Sequence, residues 1–138
     1  MDVLGGVRAV VYPARDMPAA VAAWTATLGY GPAWESPDYT SFTDGVFEVG
    51  LSRLPWFKHP LVFWRVTDIE AAWRELTTSG ATALGEVTGG GMAELPIAEV
   101  VNGDTKTGIV TMPGRKLAVL KAADGSLIGL MEDTPASW

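Results

Sequence analysis

Apolar and polar positions alternate with helical periodicity between Asp68 and Gly80. Four apolar residues recur there at helical spacing, namely Ile69, Ala72, Trp73 and Leu76. Asp68 is a good N-cap, because its carboxylate can accept hydrogen bonds from the amides of the first helical turn. Gly80 stands where a left-handed glycine commonly ends a helix. The stretch therefore predicts a capped amphipathic helix, and the apolar run 61–64 before it predicts a buried strand.

The same order of elements occurs 52 residues earlier in the chain. A strand is predicted over 6–13, Asp16 is the expected N-cap, and Gly29 is the expected end of the helix. The apolar stripe between them consists of Met17, Val21, Trp24 and Leu28. Trp24 and Trp73 lie on the two stripes, so we expect both to pack in the core. The two stretches predict one β-α unit used twice.

Short strands are predicted after each helix. In the first half they fall at 33–36, 39–43 and 46–52, and in the second half at 82–88, 116–122 and 126–132. Each half is therefore a βαβββ module. Two such modules predict an α+β fold in which each sheet has a helix on one face. The other faces must cover one another or line a cavity.

The module boundaries predict a single domain over 1–138. Module 1 covers about 6–53 and module 2 about 60–132, with a proline-bounded linker at 54–59 and a tail at 133–138. The segment 92–114 has no counterpart in the first half, so it predicts an extra hairpin or an ordered flap. With the glycines at 89–91 as a hinge, that segment would form a lid over the cup between the sheets.

Composition and charge exclude several classes of function. The 138 residues include no cysteine, which excludes disulfides, thiolate zinc sites and a cysteine nucleophile. A net charge of −6 without a basic cluster argues against nucleic acid and anionic membranes as partners. The N-terminus lacks the basic and apolar regions of a signal peptide, so we expect a cytoplasmic protein. The negative charge would attract cationic ligands, although solubility alone is a sufficient reason for it.

Two motifs carry a family resemblance. Asp-Met-Pro-Ala-Ala at 16–20 aligns with Asp-Ile-Glu-Ala-Ala at 68–72, and the chain closes with Ala-Asp-Gly-Ser-Leu-Ile-Gly-Leu-Met-Glu at 123–132. This pattern resembles the vicinal oxygen chelate superfamily of glyoxalases, bleomycin-resistance proteins and extradiol dioxygenases. The resemblance covers about 7–132 except for the 92–114 segment. It implies two modules curled into a cup, and many members are homodimers, so a homodimer is expected.

The enzymes of that superfamily hold a divalent metal in the cup, with His, Gln or Glu ligands from the first and last strands of each module. The resemblance places those positions at Ala9, at or beside Leu61, at Gly129, and at Glu48. Only Glu48 can bind a metal, and the one histidine, His59, lies in the linker. We therefore expect no metal, no cofactor and no catalytic residue. The chain most resembles metal-free members that sequester an antibiotic.

Seven residues are candidates for contact with a ligand. They are Leu61, Phe63, Arg65, Trp34, Trp56, Phe57 and Glu48. The first three share one strand face by alternation, which is the face that the resemblance turns into the cup. The aromatic residues at 34, 56 and 57 lie near module edges, where they would stack on a ligand or form a dimer interface. Glu48 would pair with a cationic ligand or with Arg65, or would simply face solvent.

Three functions follow in order of preference. The first is a metal-independent small-molecule binding protein, for example one that sequesters an antibiotic or another aromatic or cationic natural product. The alternative is a glyoxalase-type or dioxygenase-type enzyme with an atypical or absent metal site. The third is a dimeric scaffold without a ligand, which a completely filled cup would favour.

Overall fold

The computed structural model describes residues 3–53, 58–97 and 99–135. Trp56 and Phe57 lie outside the described residues. In the described part the elements are β1 (Val7–Pro13), α1 (Met17–Leu28), β2 (Trp34–Glu35), β3 (Tyr39–Thr43), β4 (Glu48–Ser52), β5 (Leu61–Arg65), α2 (Ile69–Thr78), β6 (Thr82–Glu86), β7 (Met92–Glu94), β8 (Val110–Met112), β9 (Arg115–Lys121) and β10 (Leu127–Asp133). Neither helix is long and apolar enough to cross a membrane.

Both helices begin at the predicted residues; α1 ends at the residue before Gly29, and α2 ends two residues before Gly80. The Asp16 carboxylate accepts a hydrogen bond from the Ala19 amide at 3.0 Å, and Asp68 accepts one from the Ala71 amide at the same distance. Such caps contribute about 1 kcal/mol each. Gly29 has a φ of 84°, a left-handed conformation that glycine adopts without strain and that ends α1. The predicted β-α repeat is confirmed at this level.

The strands form one sheet in the order β2-β3-β4-β1-β5-β10-β9-β6-β7, with β8 paired to β9. The antiparallel pairing of β1 with β5 joins the two modules edge to edge. Helix α1 covers the outer face of module 1 around Phe42 and Leu51, and α2 covers that of module 2 around Leu120 and Leu130. The inner faces of the modules meet in a third apolar cluster, whose buried members are Ala9, Val11, Leu61, Phe63, Leu84, Val119 and Met131.

The 92–114 segment is a flap and not a hairpin. Its strands β7 and β8 pair with β6 and β9 rather than with each other. The Trp73 indole donates a hydrogen bond to the Thr107 carbonyl at 2.9 Å, and Ile109 packs in the cluster beneath α2. The Val101 amide donates to the Glu86 carbonyl at 2.8 Å. The flap is thus anchored on the outer side of module 2, while its two strands extend the wall of the cup.

Candidate functional site

A single row of paired residues crosses the inner face of both modules. Glu48 lies opposite Ala9, Ala9 opposite Phe63, Phe63 opposite Gly129, and Gly129 opposite Val119. Glu48, Ala9 and Gly129 are positions that the resemblance assigns to metal ligands, and Phe63 stands in this row in place of Leu61. Alanine, phenylalanine and glycine side chains offer no ligand atom, and a divalent cation needs several. The donor set of this row does not fit the metal of the superfamily's enzymes.

Aromatic rings occupy the space above two glycines in the cup. A Cβ atom at Gly129 would lie 2.6 Å from Phe63 Cδ1 and 2.7 Å from the Val62 carbonyl oxygen. A Cβ atom at Gly50 would lie 2.7 Å from Tyr39 Cζ. Each glycine therefore makes room for a ring on the neighbouring strand. At Gly129, one of the family's ligand positions, side-chain packing thus fills the space that a ligating side chain would need.

Glu48 is buried at the centre of a polar network. Its carboxylate accepts hydrogen bonds from Arg115 Nη2 at 2.9 Å, Arg115 Nη1 at 3.2 Å and the Tyr39 hydroxyl at 2.6 Å. Arg8 Nη1 lies 3.8 Å from Glu48 Oε1, and Arg8 Nε donates to Asp133 at 2.9 Å. The predictions that Glu48 faces solvent or pairs with Arg65 are wrong. Arg115 takes that place because β9 faces β4 across the cup.

The network fixes the protonation state of its members. Burial raises the pKa of Glu48, but the hydrogen bonds from Arg115 and Tyr39 outweigh it and hold that pKa below its usual range. The hydrogen bond to Glu48 raises the pKa of Arg115. Burial, followed by the charge of Glu48, raises the pKa of the Tyr39 hydroxyl. At neutral pH, Glu48 is therefore ionised, and both of its carboxylate oxygens accept hydrogen bonds within the network.

A cavity of about 140 Å³ remains in the half of the cup that belongs to module 2. We call it the first cavity, and its lining residues are Phe63, Leu84, Gly85, Glu86, Met92, Asn102, Gly108, Val110, Met112, Leu117, Ala118 and Val119. The wall is almost entirely apolar. Its one charged member is Glu86, whose carboxylate accepts a hydrogen bond from Asn102 Nδ2 at 3.3 Å. No cation pairs with Glu86 in the described part of the chain.

A second cavity, of about 220 Å³, lies toward the start of β5. Its lining residues are Lys58, His59, Pro60, Leu61, Met92, Val119 and Leu127. Met92 and Val119 line both cavities, so the two are neighbours within one cup. Leu127 is 52% exposed at the mouth of the second cavity, and Met112 is 39% exposed beside the first. Both mouths therefore present apolar surface.

The structure brings some of the predicted ligand residues together and leaves others apart. Phe63 lines the first cavity and Leu61 lines the second. Arg65 lies on the same strand face, opposite Met131, but lines neither cavity. Trp34 is 57% exposed on the edge strand β2, with its ring 6.4 Å from that of Tyr39. The contact of all these residues with a ligand stays a prediction, and both interpretations of Trp34 remain.

Sequence reasoning missed Glu86, Arg8 and Arg115. Glu86 follows Leu84 by two residues, so alternation along the strand places both on the inner face. That signal is present in the sequence, but it becomes useful only once the inner face of this strand is known. Arg8 reaches the inner face because the β1–β5 register shifts between Val7 and Ala9. A bulge of this kind leaves no mark in the alternation of apolar residues.

A second group of carboxylates lies outside the cup, at the start of α2. Asp68, Glu70 and Glu132 have oxygen atoms within 4.8 Å of one another. Asp68 caps the helix, Glu132 accepts a hydrogen bond from the Ile69 amide at 2.8 Å, and Glu70 pairs with Lys116 at 3.1 Å. Each carboxylate thus has a structural partner, and the group belongs to the helix terminus.

Comparison with known proteins places this geometry in a fold. No family model and no curated protein sequence matches the chain. Methylmalonyl-CoA epimerase from Mycobacterium tuberculosis is 15% identical with a TM-score of 0.62, over 98% of this chain and 92% of that one. A glyoxalase/bleomycin resistance protein/dioxygenase superfamily member from Vibrio splendidus 12B01 is 18% identical with a TM-score of 0.56, over 93% and 99%.

A third similar structure is that of an NAD-dependent benzaldehyde dehydrogenase from Legionella pneumophila. It is 11% identical with a TM-score of 0.60, over 91% of this chain and 98% of that one. Likeness at such low identity shows the fold and leaves the activity open. The chain has the vicinal oxygen chelate fold, as its two modules and closing motif predicted.

Proposed function

We propose that this protein binds, without a metal ion, a small molecule that carries an aromatic or apolar body and an amine. The first cavity is the binding site, and Glu86 is the partner of the amine. One observation carries the proposal: an apolar cavity with a single carboxylate that has no cationic partner among the described residues. Apolar walls with one fixed polar group are the usual composition of a small-molecule site.

The size of the first cavity sets the size of the group that it accepts. An engineered apolar cavity of roughly 150 Å³ stays dry and binds benzene. The first cavity, at about 140 Å³, accordingly fits one aromatic ring. Aromatic antibiotics and other natural products with an amine fall within this class. Sequestration without chemical change is the role that the proposal assigns.

Calorimetric titration with benzylamine and benzyl alcohol tests the role of Glu86. The wild-type protein should bind the amine more tightly than the alcohol, and Glu86→Gln should weaken amine binding about tenfold while leaving the alcohol unchanged. Glu75→Gln is the matched control, because Glu75 lies on α2, outside the cup. If wild type and Glu86→Gln bind benzylamine with equal affinity, Glu86 is not the partner of the amine. If the wild-type protein binds neither compound, the proposal is wrong.

Metal independence has its own test. Elemental analysis of protein purified without chelators should find far less than one transition metal per chain, and chelator treatment should leave benzylamine affinity unchanged. A stoichiometric metal that Glu48→Gln abolishes would contradict the proposal, because Glu48 is the one donor in the cross-strand row. Recovery of the bound amine unchanged would separate binding from the enzyme alternative, which requires a modified product.

A further inference from the structure

Two residues border both the first cavity and the second. Met92 and Val119 are the residues that line both spaces. Val119 is buried on β9, which is held by β10 on one side and β6 on the other. Met92 is half-buried on β7, a three-residue edge strand that pairs only with β6 among the described strands. Of the two, Met92 is the one that the fold leaves free to adjust.

The local chemistry of Met92 suits movement. Methionine is unbranched and has three rotatable side-chain bonds, so it changes rotamer at low cost. Gly89, Gly90 and Gly91 precede it, each with a φ near 90°. Other residue types disfavour that conformation, so the turn before Met92 depends on its three glycines. Rotation of the Met92 side chain would join the two cavities without any change in β9.

From this geometry we infer that Met92 is a movable partition and that the site takes an elongated amine. The inference rests on the function proposed above, since Glu86 holds the amine and the first cavity holds the ring. The tail of the ligand displaces Met92 and enters the second cavity. Together the cavities, of about 140 and 220 Å³, exceed the lower limit of roughly 300 Å³ for drug-sized ligands.

The second cavity determines the chemistry of the tail. Its walls beyond the partition are mostly apolar, and they include Pro60, Leu61 and Leu127. Lys58 and His59 are exposed at the mouth of the cavity. A tail that is apolar along its length therefore matches the walls. The ligand class is an arylalkylamine, such as a benzylamine, with an alkyl or aryl extension opposite the amine.

Titration with benzylamine and its para-pentyl derivative tests this inference, because the two compounds share the ring and the amine. The wild-type protein should bind the pentyl derivative at least about tenfold more tightly. Met92→Ile should lose most of that gain, measured as the ratio of its own affinities for the two compounds, because a β-branched side chain is stiff at χ1. Met92→Ala should bind the pentyl derivative more tightly than the wild type does, since no side chain must be displaced.

Met112→Ile is the matched control, because Met112 lines the first cavity and not the second. It should change the affinity for both compounds by the same factor. Thermal unfolding of every variant checks that folding is intact. If Met92→Ile still binds the pentyl derivative about tenfold more tightly than benzylamine, Met92 is not a partition between the cavities. Benzylamine binding would in that case still support the proposed function. Absence of benzylamine binding to the wild type would overturn both.

Discussion

The two halves of the cup share one topology but differ in what fills them. In module 1 the space is closed, because the Tyr39 ring lies on Gly50 and its hydroxyl is held by Glu48. In module 2 a cavity remains, and part of its lining comes from the flap, namely Met92, Asn102, Gly108, Val110 and Met112. Module 1 has no such segment. The flap thus supplies part of the cavity wall in module 2, while side-chain packing closes the corresponding space in module 1.

The polar network around Glu48 links the closed half of the cup to the open half. Arg115 extends from β9 in module 2 to Glu48 on β4 in module 1, so the pair bridges the cup. Arg8 on β1 binds Asp133 at the end of β10, a second link between the modules. A buried charge left without its partner is costly, so the network resists separation of the two walls.

The largest expected effect comes from breaking the closed half at Glu48. Glu48→Ala leaves Arg115 without its partner and Tyr39 without an acceptor, and we expect a loss of about 3 to 5 kcal/mol in the free energy of unfolding. Glu94→Ala is the control, because Glu94 pairs with Lys121 at 2.7 Å on the surface. That variant should lose less than about 1 kcal/mol. Urea denaturation measures both values.

A double variant sharpens this test. Glu48→Leu combined with Arg115→Met replaces the pair by apolar side chains, and it should recover a large part of the lost stability, as replacement of buried ion pairs often does. Equal free energies of unfolding for Glu48→Ala and Glu94→Ala would show that the network is solvated. That result would contradict the description of the module 1 half of the cup as closed.

The next effect concerns the ring that lies on the closing strand. Gly129→Ala places a Cβ against Phe63 Cδ1 and the Val62 carbonyl, and the backbone oxygen cannot move aside cheaply. We expect a loss of about 1 to 3 kcal/mol and weaker benzylamine binding, because Phe63 also lines the first cavity. Gly31→Ala is the control, since a Cβ atom there would meet nothing within 4 Å beyond its chain neighbours. A Gly129→Ala protein as stable as the control would contradict the packing of Phe63 on Gly129.

The pH dependence of stability gives a smaller effect with a defined sign. The pKa of Glu48 is lower in the folded protein than the usual value of about 4.3 for an unfolded chain. Its contribution is therefore present above that value and is lost as the pH falls through the folded pKa. The pKa of Tyr39 is raised, so its contribution is present below about 10 and is lost at higher pH.

Comparison of variants isolates these contributions. The difference in unfolding free energy between wild type and Glu48→Ala should shrink in acid, because the wild type alone loses the ionised carboxylate. Tyr39→Phe should be less sensitive than wild type to pH above about 10. Differences that stay constant from acid to alkali would contradict the protonation states derived for the network.

The fold was predictable because its signals are local. Asp16 and Asp68 are caps, Gly29 is a helix end, and alternation placed Leu61 and Phe63 on one strand face. The network was not predictable, because Glu48 and Arg115 are 67 residues apart and meet only when the sheets curl. The bulge at Arg8 and the facing of Glu86 depend on pairing with neighbouring strands, which a single strand's sequence does not specify.

The smallest effect tests whether the flap itself keeps the second half open. Trp73→Phe removes the indole donor to the Thr107 carbonyl. Trp24→Phe is the control, because it makes the same change on α1, where the Trp24 ring packs against Tyr12 with centroids 4.9 Å apart. The Trp73 variant should lose about 1 kcal/mol more than the Trp24 variant. It should also show faster amide hydrogen exchange across the flap and weaker benzylamine binding. If exchange and binding stay at wild-type levels, the flap does not depend on this anchor, and the open half is maintained by the pairing of β7 and β8 with the sheet.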